Sequence, residues 1–270
     1  MSMLQFTRPG YITKEDWIYY MTFEDPFGLL QAVGSGLKNE NRYFVDERFQ
    51  KLLFHLFFDP QSCYQKQAIV YHNQVLYRAR TYHGSDAIER FSHPERYGDF
   101  AGYSKDESGA PSQEKAKSGR TNPEGISYLY VTTDIETAIK EVRAQPGEIV
   151  NVATVEPLSD ICVADLTSGS SGIEAGSPEK SRWVNHFALY VESLFQSPKD
   201  SIGGYYLCQY ISEFAKINNF GGIAYRSSFS QETYGPMGIN IAIFNPMDCK
   251  VTSSKLYSVT QMQIETIPPI

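Results

Sequence analysis

The stretch that most constrains this chain runs from Gly119 to Arg143, GRTNPEGISYLYVTTDIETAIKEVR. Its opening residues include Arg120, Asn122, Pro123 and Gly125, turn-forming types that read as a loop. Ile126, Tyr128, Leu129, Tyr130 and Val131 follow, an apolar run long enough for one buried strand. Thr133 with Glu136 three residues on has the form of a capping box, which predicts a helix beginning there. Within that helix Ile135, Ala138, Ile139 and Val142 recur at i, i+3, i+4 and i+7, a stripe meant for a core. Glu141 falls about 60° round from Ala138 at the helical period, on the flank of the stripe. A carboxylate there is half-covered and can look into a cleft, and Arg120 sits on the loop that enters the strand. Two such charges near one sheet edge would grip a small anionic ligand. The plainer alternative is a solvated glutamate on an ordinary loop–strand–helix unit.

The rest of the chain has to accommodate that unit. Its 270 residues suffice for one large domain, or one domain with an appendage, around a sizeable core. The formal net charge of −7 argues against broad binding to nucleic acid or to an anionic membrane, both of which need a basic face. Cys63, Cys162, Cys208 and Cys249 are widely spaced, which reads as thiols in a reducing compartment rather than a disulfide frame or a metal site. The N-terminus, MSMLQFTRPGYITKEDW, has no apolar core of signal-peptide length, and no apolar run of about 18 residues occurs. A cytoplasmic protein is expected.

Residues 1 to about 65 read as helical. Thr13 with Asp16 caps a segment holding Trp17, Ile18, Tyr20 and Met21, Asp25-Pro26 interrupts it, and Phe27 to Val33 follows as a short helix. Val45, Phe49, Leu52, Leu53 and Leu56 keep the 3.6 period, predicting a helix over Phe44 to Phe57. Strands are expected at Val75 to Arg80, Glu148 to Val155, Asp160 to Leu166, Ile223 to Arg226, Ile239 to Phe244 and Cys249 to Val259. Helices are expected at Trp183 to Phe195 and Tyr205 to Ile217. The polar stretch 86–118 and the Gly/Ser-rich stretch Thr167 to Lys180 read as long surface loops. The fold class expected is α+β, a mixed sheet core in residues 66–270 behind a helical N-terminal extension in 1–65.

Several chemistries lack their motifs. No phosphate-binding G-x-x-x-x-G-K-[ST] loop and no G-x-G-x-x-G after a strand is present. His72, His83, His93 and His186 show no metal-ligand spacing, and Gly169 to Gly172 is no nucleophile elbow. What remains is Arg78, Arg80 and Arg120, with Glu141 and the pair Ser227-Ser228 after the strand-like GGIAYR. Arginines on or beside strands are costly unless they pair or bind anions, and their planar fork matches phosphate oxygens.

YRAR at 77–80, the stretch 119–143, FGGIAYRSS at 220–228 and NIAIFNP at 240–246 resemble the RES-domain family, in the same order and over roughly residues 70 to 250. The family is named for an Arg, a Glu and a Ser, and many members are toxins of bacterial toxin–antitoxin systems. The resemblance implies a fold similar to the ADP-ribosyltransferase toxins. It also implies an enzyme that consumes NAD by phosphorolysis or hydrolysis, with NAD as substrate, inorganic phosphate as possible co-substrate and no resident cofactor or metal. Carried over, the family arginine is Arg78 or Arg80, the acid is Glu141 and the serine is Ser227. Arg120, Asn122, Tyr130 and Ser228 would be the binding residues around them. An antitoxin or immunity protein is the partner implied. A mono-ADP-ribosyltransferase acting on a protein, or a silent module that binds NAD or a partner, are the alternatives. The helical front and the insert at 86–118 depart from the family's usual shorter toxins.

Overall fold

A computed structural model describes residues 11–42, 45–58, 66–83, 85, 102–168, 173, 175–196, 205–229 and 238–260. The N-terminal helices form where their end signals put them. Thr13 and Asp16 exchange the two hydrogen bonds of a capping box, Asp16 N to Thr13 Oγ1 at 3.2 Å and Thr13 N to Asp16 Oδ2 at 2.8 Å, and open α1 (Lys14–Tyr20). Asp25 caps α2 (Pro26–Asn39) by accepting from Phe27 N at 2.8 Å. Pro26 sits in the first turn, where its missing N–H costs nothing. That helix runs past the expected Val33 because Leu37 also turns inward and is buried. The periodic stripe Phe49, Leu52, Leu53, Leu56 is buried on α3 (Glu47–Phe58).

Eight strands form one sheet: β1 (Gln67–Val70), β2 (Leu76–Tyr82), β3 (Leu129–Thr132), β4 (Ile149–Pro157), β5 (Ile161–Leu166), β6 (Gly222–Arg226), β7 (Ile239–Ile243) and β8 (Cys249–Ser258), in the order β1-β5-β6-β7-β3-β2-β4-β8. Every neighbouring pair is antiparallel except β5–β6. A parallel pair needs a crossover, and two helices supply it, α6 (Pro178–Gln196) and α7 (Tyr206–Ile217). The short α4 (Lys105–Ser108) and α5 (Ile135–Glu141) lie between β2 and β4 in the chain. The architecture is α+β, with a mixed sheet and a helical N-terminal extension.

Strand alternation divides the sheet into two faces. On one, Ala164, Leu166, Ile223, Tyr225, Ala242 and Phe244 join a single apolar cluster with α6 and α7, to which α1 to α3 also belong. Tyr20 stacks on Trp183 with centroids 5.6 Å apart, and Phe49 meets Phe187 edge-on at 6.1 Å. The opposite face buries Leu76, Leu129, Val131, Val163, Ile241 and Ile243 in a second cluster, against which Ala110 packs. Each fully buried aliphatic or aromatic side chain contributes about 1.5–3 kcal/mol.

Three expectations change here. The strand predicted from Ile126 begins at Leu129, because pairing with β7 starts at Leu129–Ile243 and the Asn122 amide draws the Ile126 carbonyl into the preceding loop at 2.8 Å. The part of the stretch 86–118 that is described, 102–118, is a docked segment rather than a loose loop. Tyr103 and Ser108 are buried in it, and Asn151 Oδ1 accepts from Tyr103 N at 3.0 Å. Gly102 approaches so closely that a Cβ would stand 2.0 Å from that same oxygen. In the stretch Thr167 to Lys180, Ile173 is buried and held by Asn185, which accepts from its N–H and donates to its carbonyl, and α6 already begins at Pro178; Gly169 to Gly172 lie outside the described residues. Cys162, Cys208 and Cys249 are free thiols, Cys208 fully buried; Cys63 lies outside the described residues. No helix among the described residues is long and apolar enough to cross a membrane.

Candidate active site

Register alone builds one wall of a cleft. Tyr77 of β2 stands opposite Thr132 of β3, Thr132 opposite Asn240 of β7, and Asn240 opposite Tyr225 of β6. Directly paired residues project from the same face, so these four form a row across four strands. Tyr130, two residues before Thr132, projects from that face as well. Helix α5 comes down beside the row and adds Ala138, Glu141 and Val142, enclosing with Arg78 a cleft of about 310 Å³.

Helix α5 is aimed by its N-terminus. The expected Thr133–Glu136 box is replaced by Asp134, whose Oδ1 accepts from Thr137 N at 2.7 Å. Thr133 is otherwise engaged: its hydroxyl accepts from Ile239 N at 3.3 Å and its N–H donates to the Ile239 carbonyl at 3.1 Å. These bonds fasten the start of α5 to the start of β7. Glu136 pairs with Lys140 on the exposed side at 2.6 Å. Gly238 lets the two segments meet, since a Cβ there would lie 2.0 Å from Thr137 Oγ1.

Glu141 closes α5 at its C-terminal end, where the helix dipole disfavours an anion by about 0.3–1 kcal/mol. Two donors hold it there. Ser227 Oγ donates to Oε1 at 2.6 Å and Asn240 Nδ2 donates to the same oxygen at 2.5 Å. Ser227 is buried, its Oγ accepts from Phe229 N at 3.1 Å and its N–H donates to the Gly238 carbonyl at 2.9 Å. Oε2 has no partner among the described residues. Ser228, expected as a companion, is exposed and does not line the cleft.

The two arginines of β2 differ in position. Arg78 lines the cleft. Strands β2 and β3 share one register pair, Tyr77–Thr132, and the Tyr130 carbonyl accepts from Arg78 Nη1 at 3.2 Å instead of from a strand N–H. The Nε of Arg78 is buried without a hydrogen-bond partner, and no carboxylate pairs with this guanidinium among the described residues. Burial, with the Arg80 charge close by, presses its pKa down to about 10, which leaves it cationic at neutral pH. Arg80, by contrast, is exposed, donates to the Glu107 carbonyl and lies over the Tyr103 ring at 4.8 Å. It anchors the docked segment 102–118 and is not a cleft residue.

The binding residues expected on the loop divide likewise. Tyr130 lines the cleft while its hydroxyl accepts from Thr121 Oγ1 at 2.7 Å and donates to Asn122 Oδ1 at 2.6 Å. Asn122 is buried, and its amide donates to the carbonyls of Lys117, Pro123 and Ile126. It shapes the loop and does not reach the cleft. Gln209 of α7 holds the same loop from below, through the carbonyls of Gly119 at 2.7 Å and Asn122 at 3.0 Å. Arg120 stays outside the cleft lining: its Nη1 donates to the Leu194 carbonyl at 3.2 Å, and its guanidinium lies 5.3 Å from the Tyr205 ring and 5.9 Å from that of Tyr225. Arg120 and Glu141 therefore do not face each other directly; Tyr225, which lines the cleft, neighbours both.

Tyr77, Thr132, Tyr225 and Asn240 were not singled out from the sequence. Asn240 left the clearest trace, an amide side chain in the otherwise apolar strand INIAI. Among the described residues the cleft offers a cation with no carboxylate partner, a carboxylate with one oxygen pinned and one open, and three tyrosine rings. This suits a ligand with phosphate, hydroxyl and flat aromatic parts.

The family model described as the RES domain matches residues 75–260. A solved structure, that of the M. tuberculosis MbcT–MbcA toxin–antitoxin complex, aligns over 77% of this chain and 92% of that chain, at 14% identity and a TM-score of 0.40. No sequence among the curated proteins matches the chain.

Proposed function

The chain belongs to the RES-domain family, and on that premise we propose that it degrades NAD, breaking the bond between nicotinamide and ribose with phosphate or water as acceptor. One observation carries the reading: Arg78, whose buried Nε has no partner and whose guanidinium meets no carboxylate among the described residues, and a doubly held carboxylate, Glu141, share a single cleft. A buried cation without a counter-ion is expensive unless a ligand provides one. The pyrophosphate of a dinucleotide does so.

The chemistry asks little of the protein in acid catalysis. The pyridinium nitrogen takes both electrons of the breaking glycosidic bond and leaves as neutral nicotinamide, so it needs no proton. Positive charge develops on the ribose, and stabilising it is the main task. Glu141 Oε2 is the group positioned for that, through the ribose hydroxyls or the anomeric carbon. An oxygen of water or phosphate then bonds to that carbon and its proton passes to solvent. Ser227 acts through Glu141 Oε1, while Arg78 holds phosphate oxygens. Tyr77, Tyr130 and Tyr225 offer ring faces to the flat cationic base, and Arg120 supports that wall from the Tyr225 side. In this reading NAD is a substrate rather than a resident cofactor. The activity would arrest growth from within the cytoplasm, and a cognate antitoxin would restrain it. Residues 66–270 hold the catalytic machinery, and 1–65 complete its helical layer.

The test is to incubate the purified protein with NAD, with and without phosphate, and to identify the products. ADP-ribose 1″-phosphate or free ADP-ribose, with nicotinamide, is the expected outcome. Label retained on a protein would instead mark an ADP-ribosyltransferase, and unchanged NAD a silent module. Glu141→Gln, which keeps the shape and removes the charge, is expected to lower turnover by at least about 100-fold.

A further inference from the structure

Asn240 is buried in the middle of the row of cleft residues, yet its amide makes one hydrogen bond, Nδ2 to Glu141 Oε1 at 2.5 Å. A carboxylate only accepts, so the amide nitrogen, not its oxygen, must face Glu141. The second N–H and the Oδ1 have no partner among the described residues. In a strand whose other residues are Ile239, Ile241, Ala242 and Ile243, Asn240 puts an amide on the cleft lining, and its Oδ1 is not a buried unsatisfied atom but opens to the cleft. The fold gives no reason for it. The site does.

We infer that Asn240 is the positioning residue that selects which oxygen of Glu141 is presented to the substrate, a role that rests on the NAD-degrading reading of the cleft. The terminal torsion of a glutamate is broad and roughly two-fold, so one donor leaves the carboxylate able to swing or exchange its oxygens. Ser227 approaches Oε1 from the segment just after β6, and Asn240 approaches it from β7, two anchors on separate segments. Both bonds fall on Oε1. Together they fix the plane of the group and leave Oε2 as the oxygen directed to the ribose. Ser227 alone holds the acid, and Ser227 with Asn240 orients it. Because the row is set by register, with Asn240 between Thr132 and Tyr225, the orientation is tied to the same wall that receives the base.

The experiment is a double-mutant cycle of Asn240→Leu with Glu141→Gln, read in kcat and KM for NAD. Asn240→Leu is expected to lower kcat about 100-fold, the scale of a misplaced catalytic group, with a smaller rise in KM. In the Glu141→Gln background the same substitution should add no further loss, because its effect passes through the carboxylate. Asn240→Asp keeps the shape while setting an acceptor against Oε1, and should fall at least as far at pH 8. It serves also if the leucine variant is unfolded by circular dichroism. Equal losses in both backgrounds, or an unaffected kcat, overturn the role of Asn240 while leaving the NAD reading in place. A wild type that binds NAD by calorimetry without consuming it overturns the reading alone. The cycle is then run on affinity, where the loss with Asn240→Leu must again vanish in the Glu141→Gln background. A wild type that neither binds nor consumes NAD overturns both.

Discussion

At the scale of single residues, function here follows from which polar groups are satisfied. Arg78 and Arg80 are two apart on one strand and look alike in sequence, but one lines the cleft with no carboxylate partner among the described residues and the other lies over Tyr103. Arg78→Met is therefore expected to reduce kcat/KM for NAD by about 10- to 100-fold, the worth of charge-assisted hydrogen bonds of roughly 1.5–3 kcal/mol. Arg80→Met should stay within about twofold, as befits an exposed site. Steady-state kinetics on the two variants checks this, and an equal loss in both would return the ambiguity. Of the residues the sequence singled out, Glu141 and Tyr130 line one cleft and Ser227 bonds to Glu141. It could not exclude Asn122, because a polar loop residue that binds a ligand and one that ties its own loop together carry the same letter.

At the scale of elements, the helix that carries Glu141 matters more than its length suggests. Only Ile135–Glu141 is helical, too short to stand by itself, so its direction depends on Asp134 at the cap and on its closeness to β7. Asp134→Ala should lower global stability by about 1 kcal/mol, measured by urea unfolding. Gly238→Ala should do more damage to turnover, because its Cβ would press within 2.0 Å of Thr137 Oγ1 and tilt α5 away. A Gly238→Ala variant with wild-type turnover would show that α5 tolerates displacement. Periodicity located most elements, and the boundary errors, three residues at the start of β3 and two at that of α5, arose where side chains competed for the backbone. Asn122 took a carbonyl from the strand, and Thr133 spent its hydroxyl on β7 instead of capping.

Across the whole molecule, a buried ion pair joins the segment that leads into β1 to helix α6. Lys66 Nζ, just before β1, meets Glu192 Oε1 of α6 at 2.5 Å, both side chains almost wholly inaccessible. Burial lifts the Glu192 carboxyl above its ordinary pKa, with Lys66 pulling the other way. Lys66→Met leaves that carboxylate without its closest cation and should cost about 3–5 kcal/mol at pH 8. A carboxyl with a raised folded-state pKa favours the folded state below its unfolded value and loses that advantage as pH rises through the folded one. The deficit of Lys66→Met should therefore shrink as pH falls from 8 toward 5, and a deficit independent of pH in urea titrations would refute the assignment. Because α1 to α3 share one apolar cluster with α6 and α7, a chain beginning at residue 66 would expose Trp183 and Phe187. It should show no cooperative unfolding transition. Taken by itself, the sequence determined what depends on near neighbours: the helix and strand types, the cap at Thr13, the break at Asp25-Pro26, and the loop–strand–helix unit that holds Glu141. Only the tertiary structure decided that Tyr77, Thr132, Asn240 and Tyr225 stand in one row, that Arg78 rather than Arg80 joins them, and that Asn240 meets Glu141. Those facts come from strand order and register, which are fixed by pairing between segments far apart in the chain.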